Sequence, residues 1–345
     1  MTAIPDGLRA RNRSASQVRA EGAIGNLFDG VELTMHGLRT RILAWPGNGY
    51  QTESVHLLTV GPGEQGDRYE YDLAEQAFLC RHGEAEVWLR DQWVTLRPGD
   101  IAYVPAGVPT QIRAVDDAST DALLVAQTCP PQLDAYSTTG AYDAEHGLFD
   151  ETAAQRAAAA AIPGTPPDPI DEMTHRTDQG DVRSWNLDAA DVAAKGALFN
   201  VLEGSAFTGI GLPMRLVLWP GAGSRLTGFN YAYCGVGVAD RSHRHPVADE
   251  FLVMWSGSGE LYVEGIGWVD ADAHDIAMAP AGVMHGHRST DTRGPSMMGG
   301  FASPPQLDLL IPTDYYDDGR FTHPTATELS PREMHSSDRA VTPEA

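Results

Sequence analysis

Cysteine is scarce in this chain, which excludes one common way of stabilising a fold. The 345 residues include three cysteines, Cys80, Cys129 and Cys234, which are far apart and form no CxxC pair. An odd number of widely spaced cysteines argues against a disulfide framework and favours a reducing compartment.

Basic residues and long apolar runs are also lacking. Lys and Arg number 24 against 47 Asp and Glu, a formal charge of −23. Such an acidic surface repels phosphate backbones and anionic lipids, so we expect neither nucleic-acid nor membrane partners. Residues 1–17 are polar without the apolar core of a secretion signal, and no run is long enough to span a bilayer. These features predict a cytoplasmic protein.

What the sequence does contain is an internal repeat. Residues 41–49 (RILAWPGNG) recur at 215–223 (RLVLWPGAG), and 129–134 (CPPQLD) recur at 303–308 (SPPQLD), both 174 positions later. The PAGV of 105–108 recurs at 280–283, an offset of 175 that implies a single-residue insertion. A register shared over this length indicates a duplicated domain.

Each copy is predicted to be all-β. Short runs rich in Val, Tyr, Trp and Ile alternate with turns drawn from 36 glycines and 23 prolines. An Ala-rich stretch from 151 to 162 predicts a helix, and the prolines that follow it predict a linker. We therefore expect a first barrel in residues 1–150, a helix and linker in 151–175, a second barrel in 176–320 and a polar tail in 321–345.

A set of potential metal ligands marks the second copy. His243 and His245 are two residues apart, which places both side chains on one face of an extended strand. Glu250 opens an apolar run that predicts the next strand, and a Pro-x-Gly turn precedes His285 on a later strand. Three imidazoles and a carboxylate suit a divalent transition metal, and strands can bring them together only if the sheet closes into a barrel.

These residues resemble the motifs of the cupin superfamily. The first cupin motif is matched at every position, and the second keeps its Pro-x-Gly and histidine, although His274 and Ser289 replace its terminal Gly and Asn. The matching positions are Gly237, His243, His245, Glu250, Gly257, Pro280, Gly282 and His285. The resemblance implies two tandem jelly-roll barrels, a bicupin, with the metal inside the second.

The first copy retains the scaffold glycines and prolines but not the ligands. The repeat offset maps the four ligand positions onto Tyr69, Tyr71, Gln76 and Thr110. A protonated phenol, an amide and a hydroxyl bind transition metals weakly. We therefore predict one metal ion per chain, with Fe(II) as the first expectation, although Mn, Ni, Co, Cu or Zn could use the same ligands.

The ligand spacing in a chain of two barrels is similar to that of quercetinase-like bicupin dioxygenases. This resemblance implies an oxygenase that acts on a small phenolic or enol(ate) compound, with O2 as co-substrate. Glu250, or His287 two residues beyond His285, would take the substrate proton, while a rim position is the other interpretation of His287. A non-redox lyase, isomerase or hydrolase of a small acid or sugar derivative, and a non-catalytic small-molecule binder, are the alternatives.

Residues of the substrate pocket follow only from strand alternation. Tyr231, Tyr233, Met254 and Met278 are the candidates for its wall. Asn230, at the position of His56 in the first copy, could face inward or outward. Whether two chains form a homodimer is left open by the sequence.

Overall fold

A computed structural model describes residues 6–289 and 294–306 of the chain. Within these ranges the protein has 22 strands and three short α-helices, so the all-β prediction is confirmed. The predicted tail, 321–345, lies outside the described residues.

The first half contains a seven-stranded sheet packed against a three-stranded one. All pairings are antiparallel, in the order β13-β8-β5-β10-β4-β3-β2 for the large sheet and β7-β6-β9 for the small one. The strands are β2 (Val31–Met35), β3 (Leu38–Ala44), β4 (Ser54–Val60), β5 (Glu75–His82), β6 (Ala85–Leu89), β7 (Gln92–Leu96), β8 (Asp100–Val104), β9 (Ile112–Ala114), β10 (Ala122–Cys129) and β13 (Ala197–Asn200).

The second half repeats this arrangement. Its large sheet has the order β1-β20-β17-β22-β16-β15-β14, and its small sheet has the order β19-β18-β21. The strands are β1 (Ala23–Asn26), β14 (Ser205–Gly209), β15 (Leu212–Leu218), β16 (Gly228–Cys234), β17 (Asp249–Ser256), β18 (Ser258–Val263), β19 (Gly267–Asp272), β20 (Asp275–Ala279), β21 (His285–Arg288) and β22 (Ser296–Ser303).

The two halves exchange one strand each. β1, from the start of the chain, pairs with β20 of the second barrel, and β13, which follows the linker, pairs with β8 of the first. The predicted boundaries at 150 and 176 assign β1 to the first barrel and β13 to the second. Their hydrogen bonds instead place β1 in the large sheet of the second barrel and β13 in that of the first. Local sequence could not reveal this, because edge pairing depends on how the barrels dock.

A continuous apolar core joins the barrels. One face of each large sheet contributes to it, with Leu57 and Leu79 from the first half and Phe229, Phe251 and Phe301 from the second. The opposite face of each large sheet encloses the interior of its own barrel, with separate cores. Because successive side chains of a strand point to opposite faces, alternate residues of each large-sheet strand face the barrel interior and the interface between the barrels.

The segment between the barrels contains the predicted helix. α2 (Glu151–Ala160) begins at Asp150, whose Oδ1 accepts hydrogen bonds from the backbone N–H groups of Thr152 and Ala153. The other elements outside the barrels are α1 (Ala15–Glu21), α3 (Ala189–Lys195) and a small hairpin of β11 (Tyr142–Asp143) and β12 (Leu148–Phe149).

The cysteines form no disulfide, and the helices are short. Cys80, Cys129 and Cys234 are all free and buried. No helix in the described ranges combines the length and apolar character needed to cross a membrane.

The exchanged strand makes the second barrel depend on the first residues of the chain. Ile24 of β1 is fully buried in the core of the second barrel, beside Leu252 and Met254. We expect Ile24→Ala to lower the free energy of unfolding by about 2–5 kcal/mol, because it leaves a cavity that the sheet cannot close. Chemical denaturation measures the change. Leu198→Ala, its counterpart in β13, should cost the first barrel a similar amount, and no loss in either variant would contradict the exchange.

Candidate metal centre

The four predicted ligands are placed by three elements of the second barrel. His243 lies in an isolated antiparallel bridge with His285, the first residue of β21, through reciprocal backbone hydrogen bonds of 2.9 and 2.8 Å. The carbonyl of His245 accepts a bond from Gly282 in the Pro-x-Gly turn, and Glu250 lies on β17. The predicted strand through His243 and His245 is wrong: this segment is irregular, and the bridge and turn orient it.

The side chains of these residues converge inside the barrel. One ligand atom from each of the four lies within 4.8 Å of the others, and all four residues are at most 6% exposed. Glu250 Oε2 is 2.7 Å from His285 Nε2 and 3.1 Å from His245 Nε2. The residues identified from sequence therefore form one compact cluster.

Hydrogen bonds to carbonyls set the protonation of two imidazoles. Nδ1 of His243 is 3.0 Å from the carbonyl oxygen of Arg241, and Nδ1 of His285 is 3.0 Å from that of Val283. Since a carbonyl can only accept, each Nδ1 carries the proton and donates it. In the neutral ring, Nε2 then presents a lone pair to the cluster.

Burial and neighbouring groups keep these residues in their metal-binding forms. Burial, with His285 and His245 nearby, lowers the pKa of His243 well below its usual value. Burial alone would raise the pKa of Glu250, but the neighbouring His285 and His245 outweigh it and lower that pKa well below its ordinary range. Neutral imidazole and ionised carboxylate are the forms that coordinate metals.

The donor set fits a divalent metal. Glu250 Oε2 and His285 Nε2 approach to 2.7 Å without forming an aligned hydrogen bond. With the His285 proton on Nδ1, two lone pairs face each other, an arrangement that a cation between them would stabilise. Imidazole and carboxylate groups are ligands of divalent transition metals. The buried cluster of three histidines and a glutamate is therefore compatible with such a metal.

Two amide side chains adjoin the free end of Glu250. The sequence left the orientation of Asn230 open, and the structure shows that this residue of β16 faces the barrel interior. Its Nδ2 is 3.4 Å from Glu250 Oε1 and 2.7 Å from Gln306 Oε1. Gln306 is buried, and its Nε2 has no partner among the described residues. The sequence analysis missed Gln306, because it belongs to a PPQLD repeat shared with the copy that lacks ligands.

The first half also holds the backbone of the ligand glutamate. Tyr50 donates its hydroxyl proton to the carbonyl oxygen of Glu250 at 2.6 Å. Asp249 Oδ2 accepts hydrogen bonds from the backbone N–H groups of Gln51 and Thr52 at 2.6 and 2.8 Å, and its Oδ1 accepts from Ala281 N at 3.0 Å. Asp249 therefore connects the first barrel, the ligand strand and the turn before His285.

An equivalent set of hydrogen bonds, here called a clasp, joins a carboxylate of the first barrel to a loop of the second. Glu75, which the offset of 174 pairs with Asp249, accepts hydrogen bonds at 2.7–3.1 Å on Oε2 from the backbone N–H groups of Arg225, Leu226 and Thr227. In the sequence, both copies have an acidic residue directly before the position of the glutamate ligand, namely Asp249 and Glu75. This pattern could have indicated that the two residues have a shared structural role. Its meaning required knowing that each loop docks on the opposite barrel.

His287 is fully buried, so the rim interpretation is wrong. Its Nε2 is 3.1 Å from Ser296 Oγ, and its Nδ1 is 3.8 Å from Asp240 Oδ2. Asp240 Oδ1 accepts the backbone N–H of His287 at 2.9 Å. Burial lowers the pKa of His287 to about 4, so its ring is neutral at physiological pH.

Asp240 makes the stability of the metal-free protein depend on pH. Burial, with a smaller effect from Glu250, raises the pKa of Asp240 to about 8, against about 3.9 in an unfolded chain. Between these values only the folded protein keeps the proton, so its stability falls by up to about 1.4 kcal/mol per pH unit as pH rises towards 8. Denaturation of Asp240→Asn should show a flatter profile than the wild type. Parallel profiles would contradict the assignment.

Strand parity places three of the four predicted pocket residues elsewhere. Tyr231 and Met278 pack in the core between the barrels, and Tyr233, on the same face of β16, is 46% exposed. Met254 alone belongs to the interior core of the second barrel. The prediction is wrong for Tyr231, Tyr233 and Met278. Both faces of the large sheet are covered, so apolar residues occur on both, and alternation along a strand does not show which face lines the barrel interior.

The first barrel reproduces the backbone of the site without its ligands. Tyr69 and Thr110 form the bridge that corresponds to His243 and His285, and Gly107 donates to the carbonyl of Tyr71 as Gly282 does to that of His245. The ring of His36 stacks on Tyr69 at 3.4 Å, and its Nε2 is 2.6 Å from Tyr71 Oη. Among the described residues, the only cluster of His, Cys, Asp or Glu suited to a metal is that of the second barrel.

Comparison with known proteins supports this architecture. The family model described as a cupin domain matches residues 56–126, which lie in the barrel without ligands. None of the curated proteins matches the sequence significantly.

Three solved structures illustrate the likeness of fold. Protein Ylba from E. coli is 11% identical with a TM-score of 0.54, covering 83% of this chain and 91% of its own. The putative glyoxylate induced protein from Pseudomonas aeruginosa is 14% identical with a TM-score of 0.55, at 82% and 89% coverage. The oxalate decarboxylase from Lactobacillus farciminis, in a formate complex, is 15% identical with a TM-score of 0.51, at 91% and 96% coverage.

Fold and repeat together define the class of protein. The chain has two jelly-roll barrels, an architecture similar to that of the solved structures, and the family model described as a cupin domain matches residues 56–126 of the first barrel. Its second barrel carries a buried cluster of three histidines and one glutamate that is compatible with a divalent metal.

Proposed function

We propose that the protein is a metal-dependent enzyme that converts a small molecule in its second barrel. The convergence of His243, His245, Glu250 and His285 within 4.8 Å, with two Nδ1 protons directed away from the cluster, carries this proposal. A bound divalent metal would supply Lewis-acid activation of the substrate or, if redox-active, electron exchange with O2.

The surrounding residues would orient the reacting groups. Asn230 lies beside Oε1 of Glu250, the carboxylate oxygen farther from the imidazoles, and Gln306 holds Asn230 in turn. The unpartnered Nε2–H of Gln306 is a donor available to a polar substrate. Met254 contributes apolar surface to the same interior. Buried donors without protein partners discriminate strongly between substrates that satisfy them and those that do not.

The reaction we favour is oxygenation of a small phenolic or enol(ate) compound. The similarity of the ligand spacing to quercetinase-like bicupins supports it. Glu250 or His287 would accept the proton that such a substrate releases on ionisation, since the first is ionised and the second neutral at physiological pH. Fe(II) is the proposed metal.

A non-redox reaction of a small acid is the second candidate. Structures with this fold include an oxalate decarboxylase that covers 91% of the chain. A lyase, isomerase or hydrolase would use the same ligands and the same proton-accepting residues, without O2.

Oxygen consumption separates the two candidates. Protein reconstituted with Fe(II), Mn(II), Ni(II) or Co(II) would be assayed in an oxygen electrode with catechols, flavonols and enolisable diketones. In parallel, anaerobic incubation with small dicarboxylic and hydroxy acids would be followed by product chromatography. Oxygen uptake that His245→Ala abolishes supports the oxygenase, and anaerobic turnover supports the second candidate. Retention of metal with no turnover in either assay would favour a binding protein and contradict both.

A further inference from the structure

The chain that follows the first barrel folds back against β3 and the turn after it. This covering segment, residues 133–162, contains a 3₁₀ helix (Leu133–Thr139), the hairpin of β11 and β12, and α2. It forms one apolar cluster with Ile42 of β3 and with Trp45. Its contributions to that cluster include Leu133, Tyr136, Tyr142, Phe149 and Ala154. The covering segment therefore buries the surface around Trp45.

A hydrogen bond and a packing contact hold α2 on this surface. Arg41 of β3 donates from Nη1 to the carbonyl oxygen of Ile162, just beyond the end of α2, at 2.8 Å. Ala154 lies so close to Gly47 that a Cβ added at Gly47 would be 2.8 Å from the Cβ of Ala154. Glycine at this position therefore leaves room for the covering segment.

The second half has the same receiving surface. Three residues of the first surface, Trp45, Gly47 and Arg41, have the identical counterparts Trp219, Gly221 and Arg215 at the offset of 174. All three counterparts line one groove, which has a volume of about 470 Å³. Leu187 and Trp185 line it as well, and Trp185 is 45% exposed. The groove thus presents apolar surface at the place that the covering segment occupies in the first half.

The internal repeat continues beyond Gln306, into residues outside those that the structure describes. Residues 142–143 (YD) recur at 316–317, 174 positions later. Residues 147–149 (GLF) recur at 319–321 (GRF), an offset of 172 that implies a two-residue deletion. The five apolar residues named above for the covering segment correspond to Leu307, Leu310, Tyr316, Phe321 and Ala326. All five counterparts are aliphatic or aromatic, so this sequence retains the side chains with which the first half is covered.

We propose that residues 307–326 dock in the groove beside Trp219, as the covering segment docks beside Trp45. The second described range ends at Gln306, whose counterpart Gln132 directly precedes the covering segment. The proposed occupant therefore starts at the corresponding point of the second barrel, and residues 307–345 are long enough to repeat the whole covering segment. Burial of the five apolar side chains supplies the driving force.

Docking in this way completes one wall of the candidate metal centre, a consequence that rests on the proposed function. In the first barrel, Tyr136 Oη lies 3.0 Å from Nε2 of His56, which lines the interior. The offset of 174 maps Tyr136 to Leu310. It maps His56 to Asn230, whose Nδ2 is 3.4 Å from Glu250 Oε1. The symmetry thus places Leu310 beside Asn230, as an apolar wall next to the ligands.

Chemical cross-linking of the full chain tests the docking. Arg19 of α1 donates to Glu151 of α2 at 2.8 Å. The corresponding positions of the second half are Ala193 of α3 and His323. A variant with Ala193→Cys and His323→Cys would be treated with a short bismaleimide, and the products identified by mass spectrometry. The native cysteines are buried and should not react. We expect a cross-link within one chain, as in a positive control with Arg19→Cys and Glu151→Cys.

A matched pair on the first half sets the baseline. Arg19→Cys with His323→Cys probes the surface that α2 already occupies and should give much less product. Phe321→Ala should lower the yield at Ala193→Cys, whereas His335→Ala, outside the proposed occupant, should not. Equal yields from the Ala193 and Arg19 pairs, or no product from either, would overturn the docking. A cross-link between two chains would assign the groove to a second copy and overturn the proposal as well.

Metal release tests the placement of Leu310 separately. Leu310→Ser should release a bound divalent metal to a chelator several-fold faster than the wild type, because the apolar wall that keeps water from the ligands is weakened. Release at the wild-type rate would overturn this placement. The cross-link is read without metal, so a failure of the proposed metal centre leaves the test of the docking intact.

Discussion

Protein carrying His245→Ala is expected to contain essentially no transition metal, whereas the wild type should contain about one ion per chain. The substitution removes one of four convergent donors and leaves a buried carboxylate beside fewer imidazoles. Elemental analysis by mass spectrometry, on protein purified without chelator, measures the loss. Circular dichroism should show that the strands are retained, because His245 lies outside the regular strands.

Tyr71→Phe provides the matched control for that variant. Tyr71 occupies the corresponding position of the first barrel, where Gly107 binds its carbonyl as Gly282 binds that of His245. The substitution should break the hydrogen bond to His36 and leave metal content unchanged. Equal metal content in the His245 variant and the Tyr71 variant would show that the ligands have been assigned to the wrong residues.

Replacing Asp249 by Ala should destabilise the protein and weaken metal binding together. The change removes a buried carboxylate that accepts hydrogen bonds from the backbone N–H groups of Gln51, Thr52 and Ala281. We expect the free energy of unfolding to fall by about 3 kcal/mol or more. Metal affinity should drop by about 10- to 100-fold, because the turn that precedes His285 loses its anchor.

Glu75→Ala separates these two effects. Glu75 caps the equivalent loop of the second half through Arg225, Leu226 and Thr227, so its loss should cost a similar free energy of unfolding. The hydrogen bonds of its carboxylate go to the 225–227 loop and not to the turn before His285, so metal affinity, measured by competition with a chromophoric chelator, should remain at the wild-type value. If both variants lost metal equally, Asp249 would act only through global stability.

The repeat made most of the fold predictable. Aligning the two copies separated residues that shape the barrel from residues predicted to bind metal, and the structure places Tyr69 and Thr110 in a bridge that corresponds to that of His243 and His285. The four ligands could be predicted because their chemical types are costly to bury without a cation. Their spacing along the chain indicates a ligand set within a single barrel, so the prediction does not depend on how the two barrels dock.

Features created by docking were beyond the reach of the sequence. The exchange of β1 and β13 depends on edge pairing between halves, and the clasp through Asp249 and Glu75 depends on loops far away in the chain. The same cause explains the misplaced pocket residues. Tyr231 and Met278 have the alternation of an interior face, but the second apolar face of the sheet is covered by the other barrel.

The metal-to-protein ratio of the wild type, after reconstitution with a single divalent ion and removal of excess, tests the central claim most directly. The account predicts saturation at about one ion per chain, because the described residues form one suitable cluster. Saturation at two ions would show that the first barrel also binds metal despite its tyrosines. Failure to retain any transition metal would contradict the assignment of the second barrel as a metal centre.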